Sequence, residues 1–269
     1  MANVNTLVIP AKQKTTILYF AIFLFALSLN SCSENHQEDT EKSRSVGDAT
    51  PQKSAQKKPD HLSKDEQLPP RRPGLENLCN LQRLDSSIQV ELKYATKDNF
   101  MKRRLYFDID SLYLQEDVAK RLVKVQRYLK QRHPGLSLLV YDGVRPLGVQ
   151  QQMWDALDSI PVRERVKFVS NPANGSIHNY GAAIDLTIAD STGKPLDMGA
   201  GYDDIRRIAY PRLEAHYLST GELSSEQVAN RKLLREVMRS QYFYNIPTEW
   251  WHFNACSRAA AKKKYNILQ

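Results

Sequence analysis

The most informative stretch of the sequence is SIHNYGAAIDLT, at positions 176–187. His178 precedes a predicted strand, and Asp185 stands inside that strand between Ile184 and Leu186. A lone carboxylate in an apolar strand is costly to bury, so a partner must compensate its charge, and a divalent cation would do so. Considered singly, a salt bridge for Asp185 and a surface location for His178 are the simpler alternatives.

A second segment, PTEWWHF at 247–253, places Glu249 and His252 three residues apart among aromatic side chains. Two histidines and one carboxylate are a known ligand set for hydrolytic zinc, and they leave the fourth position to water. Glu249 would then take the proton from that water. A regular strand would direct the two side chains to opposite faces, so this interpretation requires irregular backbone at 248–249, which Pro247 favours. The alternative is a structural corner packed on tryptophan.

The third segment is YDGVRP at 141–146, which places an arginine at a turn between a strand and a helix. Gly143 and Pro146 set the bend, so Arg145 is expected to point off the end of the sheet. There it could stabilise the oxyanion of a tetrahedral intermediate. A surface ion pair with a carboxylate is the alternative.

These residues need a scaffold, and apolar periodicity predicts its elements. Strands are predicted over 88–94, 136–142, 182–188 and 248–253. Helices are predicted over 114–132, 147–157, 224–241 and 258–265. Because strands and helices alternate without a repeating βαβ order, we expect an α+β fold. It should be a single domain with a mainly antiparallel central sheet flanked by helices.

The N-terminal residues 1–32 have the composition of an export signal. Two lysines precede the apolar run Thr15–Leu29, which is shorter than the ~20 residues that span a bilayer. Ser31 and Cys32 follow this run and resemble a bacterial lipoprotein lipobox. We therefore expect lipidation at Cys32, a membrane anchor through lipid only, and a periplasmic position in the cell envelope. An ordinary signal peptide is the alternative.

Composition also divides the rest of the chain. Residues 33–75 are polar and mixed in charge, which predicts a disordered linker, and residues 76–269 can form one core and hold the catalytic domain. The net charge of +8 is spread without a basic stripe. The sequence therefore predicts no nucleic-acid partner.

Taken together, these motifs resemble the D-Ala-D-Ala dipeptidases of the VanX type, in zinc peptidase family M15. The likeness extends over nearly the whole catalytic domain. Its further parts are YATKDNF at 94–100, MGAGYD at 198–203 and NRKLLR at 230–235. Each motif alone is weak, but six in the family's order are specific. The resemblance implies a hedgehog/DD-peptidase-like fold and one zinc ion per chain.

The resemblance also implies a role for each matching position. His178, Asp185 and His252 match the zinc ligands, Glu249 the catalytic base and Arg145 the transition-state arginine. The residues that hold the dipeptide match Asp203 and Tyr94 at its ammonium end and Ser176 near its carboxylate. The implied activity is hydrolysis of D-alanyl-D-alanine in cell-wall peptide metabolism. A carboxypeptidase or endopeptidase that trims peptidoglycan stem peptides, and a non-catalytic zinc-stabilised binding module for wall peptides, are the alternatives.

Two departures from the family pattern concern the site. Val144 replaces a tyrosine in the DGYRP motif, and Asn179-Tyr180 replaces the usual Ser-Arg after the first zinc histidine. Neither change removes a catalytic group, but both are expected to alter the pocket and its substrate preference.

The sequence leaves two cysteines outside the leader. Cys79 precedes the first predicted strand and Cys256 follows the last, in a protein expected to be exported. A disulfide between them would close a long loop and contribute roughly 4–5 kcal/mol on the chain-entropy model. Two buried thiols are the alternative.

Overall fold

The computed structural model describes residues 72–269. Its helices are α1 (Leu81–Leu84), α2 (Glu116–Arg132), α3 (Leu147–Asp155), α4 (Val162–Arg165), α5 (Glu214–Thr220), α6 (Ser225–Arg239) and α7 (Arg258–Lys264). Its strands are β1 (Cys79–Asn80), β2 (Gln89–Val90), β3 (Tyr113–Leu114), β4 (Ser137–Asp142), β5 (Ala183–Ala189), β6 (Tyr244–Asn245) and β7 (His252–Asn254). The predicted signal, Cys32 and nearly all of the predicted linker lie outside these residues.

A five-stranded sheet in the order β2-β4-β5-β7-β6 forms the centre. Only the β2–β4 pair is parallel, and the other three pairs are antiparallel. β1 and β3 form a separate antiparallel pair. This arrangement confirms the expected α+β domain with a mainly antiparallel sheet flanked by helices.

The two faces of the central strands have different side chains, because successive residues of a strand point in opposite directions. One face is apolar and packs with helices α2 and α6 in the main core. From the strands it takes Leu138, Val140, Ile184, Leu186 and Ile188. The other face carries Tyr141, Asp185 and Thr187, so Asp185 reaches the functional side of the sheet from a buried strand.

Helices α2 and α6 form where the sequence predicts them. Along α2, buried apolar side chains recur at three- and four-residue spacing, which gives the helix one core-facing stripe. α6 begins with the predicted capping box. The Ser224 hydroxyl accepts a hydrogen bond from the Gln227 amide (3.1 Å), and the Gln227 side chain accepts one from the Ser224 amide (2.9 Å).

Two predicted strands are shorter than the periodicity indicates. The first is paired only over Gln89–Val90, and Tyr94 lies instead in a 3-10 turn over Lys93–Ala95. The chain bends there because the Tyr94 carbonyl accepts hydrogen bonds from two later amides, at Leu105 and Tyr106. The last strand begins only at His252. Residues 248–249 lie before it in irregular backbone, as the placement of Glu249 requires.

The predicted disulfide is not formed. Cys79 and Cys256 are free, partly buried thiols. Cys79 is held in the β1–β3 pair opposite Leu114, whereas Cys256 leaves the end of β7. Burial is the main factor that raises the pKa of both thiols, so both favour the protonated form that is poor in thiol exchange. Within residues 72–269, no helix has the length and apolar character that crossing a membrane requires.

Candidate active site

Three elements bring the candidate ligands together. Asp185 and His252 are directly opposed in the β5–β7 pair. His178 lies in the 3-10 turn Ile177–Tyr180, just before β5. Gly181 ends this turn at φ +63°, a left-handed conformation that suits glycine, and returns the chain into the strand. The His178 and Asp185 side chains thus come to lie side by side because a glycine turn separates the histidine from the strand that carries the carboxylate.

The ligand atoms form a small triangle. His178 Nε2 lies 3.2 Å from Asp185 Oδ1 and 3.1 Å from His252 Nδ1, and His252 Nδ1 lies 2.9 Å from Asp185 Oδ1. The second nitrogen of each ring has its own acceptor. His178 Nδ1 lies 2.7 Å from the Gly143 carbonyl, and His252 Nε2 lies 3.0 Å from Asn254 Oδ1. A proton on each of these outer nitrogens leaves both inner nitrogens with a free lone pair.

This triangle fits a zinc ion. Tetrahedral zinc with bonds of ~2.0–2.1 Å to nitrogen and oxygen requires ligand atoms roughly 3.3 Å apart. The three observed edges are close to that value. Without a cation between them, two ring lone pairs would face each other and a carboxylate, which is electrostatically unfavourable. His178, Asp185 and His252 therefore have the chemistry and spacing of a metal-binding group, with one ligand atom from each lying within 4.8 Å of the others.

The outer oxygen of Asp185 is held by two further donors. Arg145 Nη2 donates to Asp185 Oδ2 at 3.3 Å, and the Tyr202 hydroxyl donates to the same atom at 3.2 Å. Burial opposes ionisation of Asp185, but His178 and His252 outweigh it and hold the pKa of this carboxyl well below its usual value. The carboxylate thus presents one oxygen to the metal position and keeps the other engaged.

Arg145 is buried and fixed by several partners. Its Nε and Nη2 donate to Asp142 Oδ2 at 2.9 and 2.7 Å, and its Nη1 donates to Gln150 at 3.2 Å. Asp142 is wholly buried and also accepts a 2.6 Å hydrogen bond from the Tyr106 hydroxyl. Of the five N–H donors of the guanidinium, one on Nη1 is left for a ligand. The alternative of a surface ion pair is wrong, since Arg145 lines the cavity.

Glu249 lies beside the metal-binding group. Its Oε2 is 3.9 Å from His252 Nδ1. Burial raises the pKa of Glu249 to about 7, partly offset by His252 and Arg145. A carboxylate with a pKa near neutrality, next to a metal position, has the properties of a general base.

Asp203 occupies another part of the same cavity. The Tyr94 hydroxyl lies 3.1 Å from both oxygens of this carboxylate, and the Phe100 amide donates to one of them at 3.5 Å. No lysine, arginine or histidine of residues 72–269 forms a salt bridge with it. Burial, followed by the charge of Asp185, raises the pKa of Asp203 to about 8. Its backbone is left-handed, with φ of 60°. A positively charged ligand would therefore compensate this group.

The cavity is about 190 Å³ in volume, smaller than the ~300–1,000 Å³ typical of pockets for drug-sized ligands. Ser176 is buried at its edge, where the hydroxyl accepts a hydrogen bond from the His178 amide at 3.3 Å. All eight residues predicted as ligands, catalytic groups or substrate contacts line this one cavity. They are Tyr94, Arg145, Ser176, His178, Asp185, Asp203, Glu249 and His252.

The two departures from the family pattern do not line this cavity. Val144 is buried in a second apolar cluster with Tyr113 and Val149. Asn179 is buried and links the Arg145 carbonyl to the Ser176 amide through hydrogen bonds of 2.7 and 2.6 Å. These side chains therefore do not line the cavity themselves, and Asn179 can affect it only through Arg145 and Ser176; their effect on substrate preference stays a prediction.

Three residues that hold the site were not assigned roles from the sequence. Asp142 positions Arg145, Tyr202 holds Asp185, and Asn254 orients His252. Asn254 carries a usable signal, because a residue two positions after a strand ligand shares its face. Asp142 also stands within the DGVRP motif. The contact of Tyr202 depends on a loop conformation that sequence spacing does not encode.

Comparison with known proteins gives consistent results. The family model Peptidase M15, described as D-Ala-D-Ala dipeptidase, matches residues 75–268. The D-alanyl-D-alanine dipeptidase of Escherichia coli K12 is 34% identical over 176 residues, which cover 65% of this chain and 83% of that protein. The one from Synechocystis is 30% identical over 172 residues, covering 52% and 68%. Among solved structures, LdcB LD-carboxypeptidase aligns at 18% identity and TM-score 0.38, over 72% of this chain and 73% of that one.

Proposed function

Because this chain belongs to the M15 peptidase family, we propose that it is a zinc-dependent dipeptidase that hydrolyses free D-alanyl-D-alanine. The observation that carries the proposal is the Asp203 carboxylate, which lines the same cavity as the metal-binding group, is half-buried, and has no cationic partner within residues 72–269. A free dipeptide supplies an ammonium group next to its scissile bond. A longer peptide has a neutral amide there and would leave the carboxylate uncompensated.

His178, Asp185 and His252 would hold the zinc ion. When bound, zinc polarises the scissile carbonyl and makes water more acidic. The protein's own contribution is to fix the ligand tautomers through Gly143 and Asn254, which keeps the three ligand atoms facing one another.

Glu249 would act as the general base. Its raised pKa suits proton transfer near neutral pH, where it can accept a proton from the attacking water and pass it to the leaving amine. Arg145 would stabilise the negative charge that develops on the carbonyl oxygen, using its remaining N–H. Because Asp142 and Gln150 hold the guanidinium, this donor is positioned before substrate binds.

Asp203 and Tyr94 would bind the substrate ammonium. Burial raises the pKa of the Tyr94 hydroxyl well above its usual value, so this group stays protonated and donates to Asp203. Among residues 72–269 the Ser176 hydroxyl makes one hydrogen bond, accepted from the His178 amide, and its own proton is free for the substrate carboxylate.

The decisive experiment is a comparison of amine release by the purified, zinc-loaded protein from three substrates. These are D-Ala-D-Ala, L-Ala-L-Ala and a stem peptide that ends in D-Ala-D-Ala. We expect cleavage of the free D,D-dipeptide alone. Cleavage of the stem peptide would favour a carboxypeptidase, and no cleavage by a zinc-loaded protein would favour a binding module.

We also propose that the protein is a lipoprotein of the cell envelope, acylated at Cys32. The apolar run Thr15–Leu29 and the small residue before the cysteine support this location. Mass spectrometry of the N-terminal fragment and detergent partitioning test it. The Cys32→Ser protein should lose the acyl mass and move to the aqueous phase, and an unchanged mass would contradict the proposal.

A further inference from the structure

Three cationic side chains line the catalytic cavity, and they differ in what they contact. Arg145 is engaged with Asp142 and Asp185. Lys167 forms an ion pair with Glu164 in the neighbouring helix turn. Arg258 is exposed, and its guanidinium makes no hydrogen bond or ion pair with any residue of 72–269. It is therefore the cation most available to an anionic ligand.

The position of Arg258 is set by two local features. It is the first residue of α7, where Ser257 caps the helix by accepting a hydrogen bond from the Ala260 amide at 3.2 Å. α7 packs against the 3-10 turn Ile177–Tyr180, which begins next to Ser176. Helix α7 thus begins beside this turn, and Arg258 lines the same cavity as Ser176. Asp203 lies with different partners, Tyr94 and Phe100.

We propose that Arg258 binds the C-terminal carboxylate of the substrate. This assignment rests on the proposed dipeptidase function. It makes Arg258 a specificity-determining residue that selects peptides with a free carboxylate on the residue after the scissile bond. A guanidinium suits the role because its planar donors match the two oxygens of a carboxylate.

The assignment gives each charged end of the substrate its own partner. The ammonium meets Asp203, and the carboxylate meets Arg258 together with the Ser176 hydroxyl. Because the Arg258 side chain makes no hydrogen bond or ion pair among residues 72–269, its replacement breaks no polar contact within the protein. Loss of function in an Arg258 variant would therefore report on ligand recognition rather than on folding.

The test compares D-Ala-D-Ala with its C-terminal amide, D-Ala-D-alaninamide, in the zinc-loaded wild type and in Arg258→Gln. The variant loses charge-assisted hydrogen bonds that contribute to the free energy of substrate binding. We therefore expect KM for the dipeptide to rise about tenfold to a hundredfold. Turnover number should change little, since the lost interaction is present in both ground and transition states. Activity on the amide should be the same in both proteins, and Arg258→Lys should recover part of the loss.

Lys262→Gln is the matched control, because it removes the same charge from an exposed position of α7 that does not line the cavity. It should retain wild-type preference for the acid over the amide. The proposal would be overturned if Arg258→Gln kept that preference, or if Lys167→Gln removed it instead.

Direct titration separates this inference from the proposed function. Dipeptide binding is measured calorimetrically in Glu249→Gln, with and without Arg258→Gln, so that turnover is not needed. A wild type that fails to cleave the dipeptide contradicts the proposed function. Equal dipeptide binding by the two titrated proteins contradicts the role of Arg258.

Discussion

The two sides of the catalytic cavity are built in different ways. In the metal cluster, formed by His178, Asp185 and His252, each side chain has a second partner that fixes its orientation. The substrate-facing charges, Glu249 and Asp203, have few partners, and the pKa of each is raised by burial. The orientations of the first group are fixed within the protein, and its ligand atoms need only a cation between them. The second is complete only when a ligand supplies charge or a proton.

This difference has an energetic consequence. Even a half-buried carboxylate without a close cation is unfavourable, so the folded state retains protons on Glu249 and Asp203 that the unfolded chain would release. Their contribution to stability is full below the unfolded pKa values near 4 and is lost as pH rises through about 7 and about 8. If the proposed substrate is correct, the lower stability near neutral pH accompanies affinity for its ammonium group.

On the proposed function, removal of metal should have the largest effect, because His178, Asp185 and His252 would hold the zinc ion. We expect a chelator to abolish hydrolysis, and added zinc to restore it. Metal bound only to the folded state also stabilises that state, so the melting temperature should fall on chelation. Activity assays and thermal unfolding, with and without chelator, provide the measurement. Full activity in protein shown by elemental analysis to be metal-free would contradict this account.

Glu249→Gln tests the substrate-facing side without touching the ligands. General base catalysis contributes typically ~10²–10⁴-fold, and we expect a loss of kcat in that range. Zinc content should stay near one per chain, because Glu249 is not among the three clustered ligands. His252→Gln is the matched comparison, since it should lose zinc and activity together. A Glu249 variant that retained most of its activity would show that the base has been assigned wrongly.

Asp203→Asn should weaken dipeptide binding by about a hundredfold, because the substrate ammonium loses its charged partner. The pH dependence gives a sharper test. Asp203 must ionise to bind the ammonium, so KM should fall as pH rises from 6 toward the pKa of about 8. Above that range the substrate's own ammonium, with a pKa of about 8, begins to deprotonate. The Asn variant should show no improvement between pH 6 and 8, and a wild-type slope in that variant would exclude Asp203 as its source.

Tyr202→Phe probes how strongly the metal cluster depends on its outer contacts. The variant keeps the ring and removes only the hydroxyl that lies 3.2 Å from Asp185 Oδ2. Loss of such contacts typically lowers metal affinity ~10–100-fold, and we expect about tenfold because Arg145 still holds the same oxygen. Competition with a chromogenic chelator measures the affinity directly. Tyr141→Phe, on a neighbouring ring 5.0 Å away, is the control and should leave zinc affinity unchanged.

Sequence patterns predicted this site more fully than they predicted the fold around it. His178, Asp185 and Glu249 could be identified because their motifs occur together and in the order of the family they resemble, although each residue alone has a simpler explanation. The early end of the strand at Gln89–Val90 could not be predicted, because the bend at Tyr94 depends on hydrogen bonds from the amides of residues 105–106 to the Tyr94 carbonyl. Alternation of apolar residues records which side chains are buried, but it does not record where pairing stops.

The residues that hold the metal-binding side chains from outside, Asn254 and Tyr202, were not predicted from the sequence for a related reason. Asn254 shares a strand face with His252 and could be inferred from a period of two. Tyr202 reaches Asp185 from a loop, and helix α5 and strand β6 also escaped prediction. Short elements and loops are fixed by tertiary packing rather than by local propensity, so a single sequence carries little information about them.

Val144→Ala is expected to have the smallest effect on catalysis. Val144 and Tyr94 belong to the same apolar cluster, but only Tyr94 reaches the cavity. Deleting two buried methyl groups should reduce the free energy of unfolding by about 2 kcal/mol. KM and the preference for dipeptide over stem peptide should stay within about twofold of wild type.

Tyr94→Phe is the comparison and should do the reverse, raising KM through loss of the hydroxyl at Asp203 while changing stability less. Denaturant unfolding and kinetics on both variants distinguish a packing role from a substrate role at position 144. Altered selectivity between dipeptide and stem peptide in Val144→Ala would show that Val144 takes part in substrate recognition.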